Sequence, residues 1–158
     1  MPSASSRIAA GTRTTFEYGI GVAEPRESTT NGERSEHGAR LAAVSRRVVA
    51  LLKEYYGKGP TSARTYHWGD LVVVLMRGGY TVVERTLIDQ GRTRAVSDQR
   101  AEFQEVMRPR FKQVIEEELH REVQAFMSST HQDPDLNAEL FVLKPLDDGD
   151  AANGEASE

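Results

Sequence analysis

The chain has 158 residues, 38% of them apolar and 28% charged, which is enough for one hydrophobic core and too little for two. It contains no cysteine, so disulfides, thiolate metal ligands and cysteine nucleophiles are excluded. The net charge of -4 is unevenly placed: His37 to Lys144 carries 16 Lys+Arg against 14 Asp+Glu, a nearly neutral balance that argues against broad electrostatic binding of nucleic acid.

Residues 1–36 are rich in Ser, Thr, Gly and charged types and show no sustained apolar period, so they read as a disordered arm. They lack the apolar run of a secretory signal, which points to the cytoplasm. From Ala39 to Tyr56, Leu41, Val44, Val48, Leu51, Leu52 and Tyr55 recur at spacings of three and four and predict an amphipathic helix. Gly57-Lys58-Gly59-Pro60 ends it, because glycine tolerates positive φ and proline cannot continue the helix.

Ala63 to Trp68 and Leu71 to Arg77 read as two strands joined by a Gly69-Asp70 turn. Leu71, Val73 and Leu75 face one way and Val72, Val74 and Met76 the other, so both faces of the second strand are apolar. Leu71 to Met76, six residues, is also the longest apolar run, far short of a bilayer span. With helices on one side, the other side calls for a partner subunit, and Val72, Val74, Met76 and Trp68 are read as that interface.

After Gly78-Gly79, Thr81 and Glu84 form a capping-box pattern for a short helix, with a third strand as the alternative because Val82-Val83 is β-branched. Val96, Phe103, Met107, Phe111, Val114, Ile115 and Leu119 trace a long helix over about residues 95–122, and Pro109 predicts a kink or two abutting helices near Arg108. Val123 to Thr130 and Glu139 to Leu143 read as a second hairpin, turned by Asp133-Pro134-Asp135. The order is α-β-β-α-α-β-β: a two-layer α+β domain over residues 37–144, with a mainly antiparallel sheet of about four strands packed by helices. Residues 145–158 carry five acids and no bases and read as a disordered acidic tail.

Few residues suggest chemistry. Lys58, on its glycine-flanked loop, and Arg64 are candidates for holding a phosphate or carboxylate, although the loop lacks the length and the Lys-Ser/Thr of a P-loop. His67 and Asp70 pair across the turn in this reading, but no nucleophile is fixed beside them. His131 and Asp133 resemble part of a metal-ligand cluster, yet the EF-hand pattern is missing and a turn explains them better; neither metal nor cofactor is expected. Arg108, Arg110, Lys112 and Arg121 are diluted by neighbouring glutamates and read as a solvated face.

The run Tyr55-Tyr56-Gly57-Lys58-Gly59-Pro60, the Gly69-Asp70 turn into Leu71-Val72-Val73-Val74-Leu75, Arg108-Pro109 in the long helix, and Ser129-Thr130-His131-Gln132-Asp133 before Glu139-Leu140-Phe141-Val142-Leu143 together resemble the MpsC-like family, small bacterial domains associated with a sodium-translocating, membrane-potential-generating system. The resemblance covers roughly residues 38–143. It implies association with a transport assembly and supplies no catalytic residues to carry over. The leading expectation is therefore a non-enzymatic interaction or regulatory module, a homodimer that joins a larger assembly. Two alternatives stand beside it: a small-anion sensor or enzyme with a Lys58/Arg64/His67/Asp70 cleft, and a nucleic-acid-binding accessory protein.

Overall fold

In the computed structural model, which describes residues 31–146, helix α1 runs Asn31–Tyr56. Val44, Val48 and Leu52, four residues apart, form its buried stripe. It begins ahead of the Ala39 start read from the sequence, so residues 31–36 are helical; Glu36 and Arg40, one turn apart, pair at 2.7 Å there. Residues 1–30 and 147–158, which hold most of the predicted arm and tail, lie outside the described residues. Gly57, at φ 80°, turns the chain out of α1.

Strands β1 (Ser62–Trp68) and β2 (Leu71–Arg77) form the first hairpin, and β3 (Val123–His131) and β4 (Leu136–Leu143) the second. Between them lie α2 (Val82–Asp89) and α3 (Thr93–Leu119). The sheet order is β1-β2-β4-β3, antiparallel throughout, with β2 joining β4 across the seam between hairpins. This is the expected α+β fold in the expected element order. The predicted capping box is present: Thr81 accepts from the Glu84 amide and Glu84 accepts from the Thr81 amide, which makes residues 82–89 a helix and not a third strand.

α3 is one helix through Pro109, not two. Proline removes the bond to the carbonyl of Glu105, but both residues are on the exposed side, where water can take that carbonyl. His120, at φ 55°, ends it before the predicted boundary.

α1 and α3 cover one face of the sheet, and α2 packs on α3. The core is built from Val44, Val48 and Leu52 of α1, Met107, Phe111 and Ile115 of α3, and Val72, Val74, Met76, Phe141 and Leu143 of the sheet. Val72, Val74 and Met76 are 0% exposed. That corrects their assignment as an interface: the helices take this side of β2, and Leu71, Val73 and Leu75 point away from them.

Candidate functional site

The register places three strand neighbours of Leu71, Val73 and Leu75 on the uncovered face. Tyr66, Val73, Leu140 and Met127 form one row across the four strands; Trp68, Leu71, Val142 and Ala125 form the next, towards the Gly69-Asp70 turn. Arg64, Leu75, Ala138 and Ser129 form the row on the other side, with Arg77 beyond it. Tyr66 and Trp68 stack with ring centroids 5.4 Å apart, and Trp68 and Met127 are 60% and 51% exposed. The face is thus apolar and aromatic, with arginines at one end and no acidic residue in these rows. Trp68 is the one member of the predicted interface that stands on it.

A second feature lies on the helix side, at the end of the sheet where α1 stops. Arg100 is almost fully buried; its Nε donates to Glu84 Oε1 at 2.6 Å and its Nη1 to Asp135 Oδ1 at 2.9 Å and Asn137 Oδ1 at 3.3 Å. Its guanidinium lies 4.4 Å from the centroid of the Tyr80 ring. Tyr56 donates its hydroxyl to the same Glu84 oxygen at 2.5 Å. Burial pushes the Glu84 carboxyl up, but the bonds from Arg100, Tyr56 and the Thr81 amide outweigh it and hold it below the usual range. Burial and the adjacent Glu84 push the Tyr56 phenol up to about 12. A cleft of about 350 Å³ opens beside this group, lined by Leu52, Met76 and Phe103 and by the polar side chains of Lys58, Arg100, Gln104 and Asn137. Arg100 is closed by two carboxylates, so the cleft offers an ordered polar wall without an open cation.

The predicted site residues do not converge. Lys58 donates to the Tyr80 carbonyl at 2.7 Å, strapping two loops together on the helix side, while Arg64 lies on the opposite face of the sheet, 5.6 Å from the Tyr66 ring centroid. His67 does not pair with Asp70. Its Nε2–H donates to the Gly69 carbonyl at 2.9 Å, which leaves Nδ1 to accept from His37 Nε2 at 3.2 Å; Asp70 instead accepts from Arg121 at 2.6 Å. His131 is at the far end of the sheet, where Nδ1 donates to the Pro134 carbonyl at 2.9 Å. A seven-residue strand spans roughly 20 Å, so His67 and His131 cannot share a site. Asp133 sits in the turn before a cis proline, and the acid that binds Arg100 is Asp135, two positions on. Among the described residues no group of three or more His, Asp and Glu side chains is placed to hold a metal.

Sequence reasoning missed Arg100, Gln104 and Glu139. The available signal was positional: Arg100 and Gln104 continue the four-residue spacing from Val96 on the buried stripe of α3, and Glu139 alternates with Phe141 and Leu143 on the inner side of β4. Each places a polar group where a buried one must find a partner.

Among the described residues no helix is long and apolar enough to cross a membrane. Comparison with known proteins finds no curated protein and no solved structure that matches the chain. Residues 36–145, well over half the chain, match the family model described as MpsC, the Na+-translocating membrane potential-generating system. The match spans all four strands, α2, α3 and the sheet-facing part of α1, and by it the chain belongs to the MpsC family.

Proposed function

We propose that this chain is a non-enzymatic interaction module that pairs with a second copy of itself through the uncovered sheet face, and that the pair serves as a cytoplasmic, peripheral component of a larger ion-transport assembly. The observation that carries this reading is the row Tyr66, Val73, Leu140, Met127 and its neighbours, an apolar surface left open in a two-layer fold. Contiguous apolar patches of this kind mark association sites, and two such faces pack as the layers of a β-sandwich.

Size and charge favour a second copy. Four strands about 4.8 Å apart and seven registered residues at about 3.3 Å give a face of roughly 20 by 23 Å, near the low end of specific interfaces. Micromolar dissociation is the corresponding expectation. The two-fold axis that best suits the charges runs across the strands. It sets Arg64 over Trp68 of the second copy, a cation–π contact, and brings Arg77 towards Asp70 of that copy, while the Tyr66 rows meet each other.

The family description supports the wider role: a domain in a Na+-translocating system that has no membrane-crossing helix among its described residues would act there through partners. Residues 37–144 would be the interacting unit and the flanking segments arms that add local contacts.

Sedimentation equilibrium of the full chain, up to about 100 µM, tests the reading. The expected result is a reversible dimer that Val73→Glu converts to a monomer with unchanged circular dichroism; a wild-type chain that stays monomeric throughout overturns it. Because the chain lacks cysteine, Tyr66→Cys adds a clean test of geometry: it should cross-link to itself if the axis crosses the strands, and fail to do so if the axis runs along them.

A further inference from the structure

Glu139 lies in the middle of β4, paired with Val74 on one side and Ser128 on the other, and its side chain points under α3. It is 0% exposed, and neither carboxyl oxygen has a hydrogen-bond partner. On α3, Gln104 is 6% exposed and its Oε1 is equally unpartnered. Ser128 and Gln104 are the polar side chains near enough to ease a charge on Glu139, yet neither reaches bonding geometry with its oxygens. Three buried acceptors therefore meet no donor. Such a set is costly unless something positive enters it.

No resident cation supplies the charge. On α3, Arg100 precedes Gln104 by one turn and is closed by Glu84 of α2 and by Asp135; Arg108 follows it by one turn, is paired with Glu105 and reaches over the Phe126 ring. β2 presents Val74, β3 presents Ser128 with Phe126 and Thr130, and β4 itself adds Asn137 and Phe141. The buried stripe of α1, Val44, Val48 and Leu52, is apolar.

We propose that Glu139 is a proton-binding site built into the core, whose bound H+ forms the donor to Gln104 Oε1 and couples the seating of α3 on β3 and β4 to pH. One proton neutralises the carboxylate and satisfies two of the three acceptors. Burial in this setting pushes the Glu139 carboxyl up to about 7, so the site exchanges its proton at neutral pH. The folded chain holds the proton where the unfolded chain, with an ordinary carboxyl near 4.5, has released it. Stability from this group is therefore full in acid, declines as pH rises from about 4.5 and levels off above about 7, with the folding equilibrium constant falling on the order of 10²-fold.

The test uses the full chain. Selective 13C labelling of glutamate carboxyls should show one resonance titrating near neutral pH, which Glu139→Gln removes; a Glu139 carboxyl titrating with the exposed glutamates overturns the proposal. In urea unfolding, the stability of wild type relative to Glu139→Gln should fall as pH rises from acid to neutral, equally in KCl and in NaCl. An unchanged gap overturns the proposal, and so does selective stabilisation by NaCl above neutral pH, which would assign the acceptors to a sodium ion. If Glu139→Gln does not fold, the wild-type carboxyl titration in the two salts decides alone.

Discussion

Arg100 on α3 and Glu84 on α2 meet at 2.6 Å with both side chains sealed from solvent, and the same Glu84 caps its own helix through the Thr81 amide. A buried pair of this sort is not itself strong evidence of stability, because desolvation of both ions offsets their attraction. Removing one member is different, since the other is left charged and unpaired. Arg100→Met should cost roughly 3–5 kcal/mol in urea unfolding, and the Arg100→Met, Glu84→Met double variant should cost clearly less than the sum of the two single changes.

The two faces of β2 give a contrast within one strand. Val74, 0% exposed beneath the helices, should lose about 2 kcal/mol on change to alanine, because two buried carbons go and a cavity remains. Val73→Ala, on the uncovered face, should cost the monomer under about 1 kcal/mol and weaken self-association instead. Urea unfolding at low concentration, compared with sedimentation at high concentration, separates the two effects.

His67 predicts a response to acid. Burial, with help from the neighbouring His37 and Arg121, pulls its imidazole below the ordinary value of 6.5 despite the bond to Gly69. The folded chain thus holds this proton less tightly than the unfolded one, so the contribution is present above about pH 6.5 and is lost as pH falls below it. The pair is only half-buried, and screening should keep the loss under about 1 kcal/mol. Hydrogen exchange near the start of α1 should quicken between neutral pH and about pH 5.5 in wild type, after correction for the intrinsic rate, and much less in His67→Gln.

Gly79 and Gly57 both sit at positive φ, 115° and 80°, but only one is crowded. A Cβ on Gly79 would lie 3.4 Å from the Pro60 backbone, whereas Gly57 faces open space. Gly79→Ala should therefore destabilise by about 1 kcal/mol more than Gly57→Ala, measured as urea midpoints at constant slope.

The periodic parts of the chain were legible because local pattern and packing agree there. Val44, Val48 and Leu52 could serve only as a helix stripe, and Thr81 with Glu84 named a helix start that Val82-Val83 obscured. The sheet's polarity was not legible. β2 is apolar on both sides, and its neighbours mislead: β1 turns polar Thr65 and His67 inward and Tyr66 and Trp68 outward, while β4 buries Glu139 and shows Leu140 and Val142. An alternation rule that places polar residues outside reads this sheet backwards. The His67–Asp70 pairing failed for a related reason: closeness along the chain does not decide contact, and the true partner, His37, lies 30 residues away on another element. Arg100 and Asp135 meet only once α3 and the second hairpin have docked, so no local window contains their relation.

The strand order β1-β2-β4-β3 also shapes how the chain acquires its fold. Each hairpin pairs strands adjacent in sequence and can zip on its own within microseconds. The seam from Leu71 opposite Val142 to Arg77 opposite Leu136 cannot, because closing it requires the whole α2–α3 segment to fold back between the two hairpins. That places the entropic barrier at a single ladder in the centre of the sheet, and it makes truncation of either hairpin a kinetic lesion: the surviving ribbon still forms, but it waits beside an unpaired central strand with a ready edge for aggregation.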